Sequence, residues 1–200
     1  MGYNQKRIKI ILVQTLSFLA PSGQSEKFSK RLGNTIELDE ALNYLDLNQL
    51  KFFLLEKEFN QPLTINNKLL KEKQKKTRLY YFQYAYVRCH QLFQKAREKK
   101  IEKISSDINL LKNKKEKKIL NLLVRFPFVL EKIIEENKPH YLIYYLDELA
   151  HAWQIYYQNS VILEPKNSEL TSQKLLLVKN VQIILKLGFD LIGIEALTKM

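Results

Sequence analysis

The stretch Pro139-His-Tyr-Leu-Ile-Tyr-Tyr-Leu-Asp-Glu-Leu-Ala-His-Ala-Trp-Gln-Ile-Tyr-Tyr157 sets Leu142, Tyr145, Leu146, Leu149, Ala152, Trp153 and Tyr156 three or four residues apart. That spacing puts all seven on one face of a helix, which Pro139 starts. Asp147, Glu148 and Gln154 fall on the opposite edge, so one face is read as packed and the other as wet. A stripe lasting two heptads needs other helices to cover it.

Those helices are legible on both sides. Downstream, Leu163 to Ser168 is a polar loop around Pro165, and Leu177, Val178, Val181, Ile184 and Leu185 mark a last helix with Gly188 as its expected C-terminal cap. Upstream, Ile119, Leu122, Leu123 and Phe126 mark a helix that Pro127 is expected to interrupt, and Leu130, Ile133 and Ile134 mark the next, ending near Asn137. Before these, the chain from Asn66 to Lys100 has no Gly or Pro and reads as one long helix, and Lys95 to Lys118 as a lysine-dense helix with mobile connections, broken only by a small apolar patch at Ile101, Ile104, Ile108, Leu110 and Leu111. Four or five amphipathic helices with short joints predict a bundle.

The first third reads differently. Ile8 to Val13 is a β-branched apolar run, the pattern of a strand buried on both faces. Pro21 to Gly23 is a turn, Asp39 to Leu45 a short helix, Leu50, Phe53 and Leu54 mark a second, and Leu63 to Ile65 is extended after Pro62. With no other strong strand to pair with, the first run makes no stable sheet alone, so this part is expected to be the end of a larger α/β domain.

With 46% hydrophobic residues, the 200-residue chain has ample material for a core, and its 5 Gly and 5 Pro favour long helices over a many-turned β fold. The net charge of +12 points to a polyanion, without separating RNA from DNA or an acidic membrane. Residues 66 to 118 hold 17 Lys and Arg against 5 Asp and Glu, while the remainder holds 16 of each, so the excess is local. Lys6, Arg7 and Lys9 before Ile10 to Ala20 imitate a signal peptide. However, Gln14, Thr15 and Ser17 break the run, Phe18 is too large near the cleavage position, and the run is too short to span a bilayer. The single cysteine, Cys89, excludes an internal disulfide and suits a reducing cytoplasm. His90, His140 and His151 show no metal-ligand spacing and are read as ordinary helix residues, and no metal site is expected.

Two stretches carry candidate chemistry. In Glu26-Lys-Phe-Ser-Lys-Arg-Leu-Gly-Asn34, a loop after the turn, Lys27, Lys30 and Arg31 with Ser29 could neutralise a polyphosphate, and Gly33 lets the backbone approach it; a solvated basic turn fits the same residues. In Tyr80-Tyr-Phe-Gln-Tyr-Ala-Tyr-Val-Arg88, Tyr80, Tyr84 and Arg88 share a helical face that could stack bases and hold phosphates; tyrosines packed inward with hydroxyls at the rim fit equally. The lysine run is open to both readings as well, phosphate contact or solvated face.

The same residues resemble the arginine-tRNA ligases, class I aminoacyl-tRNA synthetases, over nearly the whole chain. Lys27-Phe28-Ser29-Lys30-Arg31 looks like that class's Lys-Met-Ser-Lys-Ser loop, with Phe for Met and Arg for the last Ser, and Arg31 to Asp39 resembles its continuation in the arginine enzymes. The run Tyr-x-Gln-Tyr-Ala-His-Ala-Arg opens that family's anticodon-binding domain. Tyr81, Gln83, Tyr84, Ala85 and Arg88 match it; Tyr86 and Val87 depart. Phe126-Pro127, Pro139, Tyr145-Leu146, Leu149-Ala150, Tyr156-Tyr157, Leu175, Leu191 to Ala196 and the terminal Met200 follow the family C-terminus in order, with Leu197 where the family usually has Pro.

The resemblance implies a mainly α chain: residues 1–75 as the end of a class I Rossmann-type α/β catalytic domain, and 76–200 as an all-helical anticodon-binding bundle. It implies ATP-dependent attachment of arginine to tRNA(Arg), with magnesium accompanying ATP, in the cytoplasm and without a membrane partner. Lys27, Ser29, Lys30 and Arg31 would bind ATP, Lys30 stabilising charge as pyrophosphate leaves, and Tyr80, Gln83, Tyr84, Arg88 and Met200 would contact tRNA. The class's His-Ile-Gly-His signature is not among these residues, so activity is expected to need an N-terminal half supplied elsewhere. A free-standing, non-catalytic RNA-binding module is the alternative, and a helical protein-interaction scaffold a third, which leaves the basic loop without a role.

Overall fold

The computed structural model describes residues 10–14, 16–19, 25–27, 42, 46–66, 77–101, 103–164 and 166–200. Among these residues, side chains that accept from otherwise unpaired N–H groups begin four of the five helices. The chain divides into two compact units, 1–73 and 74–200.

In the first unit, β1 (Leu16–Leu19), β2 (Ser25–Lys27) and β3 (Leu63–Asn66) form a sheet of order β2-β1-β3. β1 pairs antiparallel with β2, Ser17 opposite Lys27, and parallel with β3, Leu16 opposite Leu63. The expected strand at Ile8 to Val13 is not where pairing occurs: Ile10 to Val13 are exposed and outside any strand. A β-branched run states only that extended backbone would suit it, whereas the ladder forms where partners lie alongside, further along the chain. The sheet that does form is built from other, shorter segments. Glu26 and Lys27, read as the start of a loop, are the last residues of β2. The turn at 21–23, the basic stretch from 28 to 34 and the helix at 39–45, apart from a helical Leu42, lie outside the described residues.

Helix α1 (Leu47–Glu56) starts at a capping box, with Gln49 N–H donating to Asp46 Oδ1 at 2.9 Å and Asp46 N–H to Gln49 Oε1 at 3.3 Å. It buries Leu50 and Phe52 and leaves Leu54 exposed, so the inward face is rotated from the predicted Leu50, Phe53 and Leu54. In a short, nearly continuous apolar run, periodicity does not fix the face.

The second unit holds α2 (Arg78–Glu98), α3 (Lys114–Glu136), α4 (His140–Asn159) and α5 (Ser168–Leu191). α4 packs on α2, α3 and α5, and α5 also packs on α2 and α3. All seven residues of the α4 stripe are buried. Gln154, placed on the wet edge from sequence, is buried too. Cys89 is buried on α2, and burial pushes its thiol well above the usual range.

Four boundaries differ from expectation. The long helix begins at Arg78, where Thr77 Oγ1 accepts from Tyr80 N–H at 3.2 Å, and not at Asn66, which closes β3. The lysine-dense segment is not one helix. α2 stops at Glu98, and the connection to α3 is tied to α5, Ser105 N–H donating to the Ser172 carbonyl at 3.2 Å and Leu110 N–H to Gln173 Oε1 at 2.8 Å.

Pro127 does not interrupt α3, which runs through it to a left-handed C-cap at Asn137. Proline removes one helical hydrogen bond and crowds the preceding turn. Here Phe126 anchors that turn in the core 5.4 Å from the Tyr145 ring, and the Tyr145 hydroxyl donates to the Leu122 carbonyl at 2.9 Å. Gly188 is likewise no cap but lies inside α5, which continues to Leu191; a Cβ there would stand 2.5 Å from Leu146 Cδ2. The left-handed glycine is Gly193, at φ 66°.

Gly188 is therefore a packing residue. Alanine would gain about 1 kcal/mol of helix propensity but force the fully buried Leu146 aside, at a cost of roughly 1–3 kcal/mol. Thermal unfolding of Gly188→Ala is expected to show a net loss, and in a Leu146→Ala background the same change should become neutral or stabilising. A similar loss in both backgrounds would refute the packing role.

Candidate nucleic-acid interface

On the exposed side of α2 the three residues predicted to share a face do meet. The Tyr80 and Tyr84 rings stack at 6.1 Å and 12°. The Arg88 guanidinium lies 4.4 Å from the Tyr84 ring centre and 4.7 Å from that of Tyr157 on α4. Arg88 Nη2 donates to the Tyr84 hydroxyl at 2.6 Å, and Nη1 to Gln154 Oε1 at 2.9 Å. Tyr157 rests on the Trp153 ring at 5.5 Å. The result is a layered face, Tyr80, Tyr84, Arg88 and Tyr157, whose members are all half-buried. The rings are seated against the bundle and still reach its surface.

Beside this stack, the Tyr81 hydroxyl lies 3.4 Å from His151 Nδ1. Its pKa is raised, first by burial and then by the Asp147 carboxylate, with Arg88 opposing, so it remains a neutral hydrogen-bonding group at neutral pH.

Gln83 faces inward on α2. It is 7% exposed and its amide donates to the Glu195 carbonyl at 3.5 Å, which joins α2 to the C-terminal tail. Ile192 and Ile194 of that tail are buried, and Met200 at its end is exposed. Of the basic stretch, Lys27 lies on β2, and Ser29, Lys30 and Arg31 fall outside the described residues.

A second surface lies where α3 meets α4. Lys114, Lys117, Lys118, Asn121 and Arg125 line an open cleft of about 370 Å³, closed at one end by Glu148, which pairs with Arg125. Lysines in the first turn sit at the positive end of the helix dipole, where cations are unfavourable. The acidic residue of that turn, Glu116, is buried and engaged, accepting from Asn113 N–H at 3.0 Å and from the Tyr156 hydroxyl at 2.9 Å. Glu116 thus faces inward, while Lys114 and Lys117 of the same turn face solvent.

Sequence reasoning missed Gln154, Tyr157, His151 and Arg125 as parts of these surfaces. Gln154, Tyr157 and His151 join from α4, and the pairing of helices has no signal in a one-dimensional period; Arg125 lies on α3 with the lysines.

A stacked aromatic and guanidinium face on a helical bundle, with a basic cleft on the same unit, offers ring surfaces and positive charge of the kind that suit unpaired bases and phosphates. Residues 82–200 match the model of the DALR anticodon binding domain, and the chain belongs to that family. Beyond the bundle, the chain is 31% identical over 199 residues to the arginine–tRNA ligase of Mycoplasma mobile, covering 98% of this chain and 35% of that protein. It is 30% identical over 205 residues to that of Carboxydothermus hydrogenoformans, covering 100% and 36%. A solved Campylobacter jejuni structure assigned as an arginyl-tRNA synthetase superposes with a TM-score of 0.83 at 26% identity, covering 100% of this chain and 42% of that one. The Thermus thermophilus arginyl-tRNA synthetase, at 24% identity and a TM-score of 0.66, shares the fold. The chain spans about a third of the length of the curated relatives it matches.

The stack depends on a planar guanidinium with several fixed donors. Lysine cannot lie flat between two rings and serve both Tyr84 and Gln154. Arg88→Lys is expected to cost roughly 1–3 kcal/mol in urea unfolding, and a value indistinguishable from wild type would show that Arg88 contributes nothing to the seam.

Proposed function

We propose that this chain supplies the anticodon-binding bundle and the phosphate-binding stretch of an arginine–tRNA ligase, in which the arginine carboxylate displaces pyrophosphate from ATP to form an adenylate and the 3′ end of tRNA(Arg) then takes the arginine and releases AMP. The observation that carries this reading is that similarity to arginine–tRNA ligases runs through both units, 98% of the chain, and is not confined to the bundle. On this reading residues 1–75 are the end of a class I catalytic domain, residues 76–200 bind the tRNA, and the protein works in the cytoplasm. Among the described residues no helix is long and apolar enough to cross a membrane.

The division of roles follows from chemistry. Lys27, Ser29, Lys30 and Arg31 hold the triphosphate, and Lys30 meets charge that builds on pyrophosphate as it leaves, which is how a displacement at phosphorus is helped. Tyr80 and Tyr84 offer ring faces to unpaired bases, Arg88 locks those rings, and Met200 extends the surface at the tail. Gln83 is a positioning residue that ties the tail to α2. Among the described residues no three carboxylates, histidines or cysteines lie together to hold a metal.

Binding of tRNA(Arg) to the chain should weaken steeply with salt, log affinity falling by roughly 0.7 to 0.9 per phosphate contact per unit of log salt. Changing Lys112, Lys114, Lys115, Lys117 and Lys118 to Gln should flatten that slope, and an unchanged slope would reduce the run to a solvated face.

The phosphate role is separable from tRNA docking. With the remaining length of the relatives supplied, Lys30→Ala should lower arginine-dependent ATP–pyrophosphate exchange by on the order of 100-fold, leaving tRNA affinity near wild type. Near-normal exchange with weakened tRNA binding would make this stretch an RNA contact instead.

A further inference from the structure

Gln154 has a polar atom that the fold does not use. The residue is only 4% exposed, yet its Nε2 has no hydrogen-bond acceptor among the described residues. Which end of the amide is which is fixed by Arg88. A guanidinium only donates, so the atom 2.9 Å from Arg88 Nη1 must be the carbonyl oxygen Oε1, and the amino group is turned away from it. A buried amide donor left unpaired is uncommon in a folded protein and disfavours the state that contains it. Replacing Gln154 by an apolar side chain would remove that cost, so the geometry asks what else the amino group serves.

Its surroundings limit the answer. Arg88 lies directly against Gln154 and is itself held on Tyr84 and Tyr157. Tyr157 follows Gln154 by three residues, on the same side of α4. It is seated by ring contacts to Trp153 and Arg88. The donor therefore lies beside the stacked aromatic face.

We infer that Gln154 is a base-reading residue. When an unpaired nucleobase enters the stack and displaces Tyr157, Gln154 Nε2 donates to an acceptor on that base's edge. Because Arg88 fixes the amide, Gln154 can offer a donor there and not an acceptor, so it favours a base with an acceptor at that point and penalises one with an amino group. The inference rests on the proposed tRNA-binding role and adds to it the polarity of the contact and the residue that sets it.

Gln154→Glu is the sharpest probe. One carboxylate oxygen keeps the hydrogen bond from Arg88, so the seam is retained, while the other presents an acceptor where the donor was. Gln154→Met removes the donor at similar volume and adds no charge. Both are measured with the full chain by fluorescence anisotropy against anticodon-type RNA stem-loops that differ in one loop base at a time, with circular dichroism to confirm folding.

Wild type is expected to prefer one base over another at one loop position by about tenfold, the scale of a base-edge hydrogen bond. Gln154→Met should bring that ratio close to one with the salt slope unchanged, and Gln154→Glu should invert it towards bases offering an amino group. Uniform loss of affinity cancels in the ratio. Preferences unchanged in both variants, or a wild type that binds the stem-loops without preference, would overturn the inference and leave tRNA binding standing. A wild type that binds none of them would overturn both.

Discussion

The bundle depends on one hydrogen bond, from Trp153 Nε1–H on α4 to the Ala85 carbonyl of α2 at 3.0 Å. The indole is fully buried, so its donor must find an acceptor inside the protein or leave a costly unpaired group. Ala85 has only a methyl, which lets the indole reach the helix backbone itself. A side chain bonded to one particular carbonyl fixes how far α4 is slid along α2. Once Trp153 is set opposite Ala85, Gln154 and Tyr157 arrive beside Arg88, three residues further along α2. The layered surface is the outer consequence of an inner bond.

The other large aromatics of α4 work in the same way towards α3. Tyr145 donates to the Leu122 carbonyl and Tyr156 to the Glu116 carboxylate, at 2.9 Å each. Burial pushes both hydroxyls well above the usual tyrosine range, so they remain donors. Hydrophobic area alone would let helices slide; three polar tips with one acceptor each do not. The Glu116 carboxylate is held doubly, by Tyr156 and by the start of α3, so the packing of α4 also fixes where the lysines of that first turn begin.

The α4 stripe was legible because every one of its positions faces another helix, and a period of 3.6 is all that such a helix needs to declare. The errors have a common form. Pro127 and Gly188 are read locally as breaks, and both lie inside helices because tertiary contacts outweigh their local preference: Phe126 and Tyr145 hold the turn around Pro127, and Leu146 occupies the space that a side chain at 188 would take. Ile10 to Val13 show the converse, a strong strand signal with no ladder. Within the site, Tyr80, Tyr84 and Arg88 were legible because they are neighbours on a single helix. Gln154 and Tyr157 were not, since their place follows from the Trp153 register, and a polar residue in the chain gives no sign of being buried against a guanidinium.

The two basic features of the bundle are physically unlike, and the difference bears on how a polyanion would be met. Arg88 is half-buried and engaged by two rings and two acceptors, so its charge serves geometry. Lys114, Lys117 and Lys118 are exposed, at a helix end that already carries positive potential. Exposed lysines attract phosphates by a long-range force that salt screens and that is indifferent to sequence. A stacked face acts only at contact; its ring faces take any base, and discrimination has to come from donors fixed beside them. On the proposed reading the lysines therefore govern how readily the tRNA is captured, and the α2–α4 face governs which loop is kept. Folding couples the two, because the Tyr156 to Glu116 bond that seats α4 on α3 belongs to the same helix whose Trp153 sets the reading face.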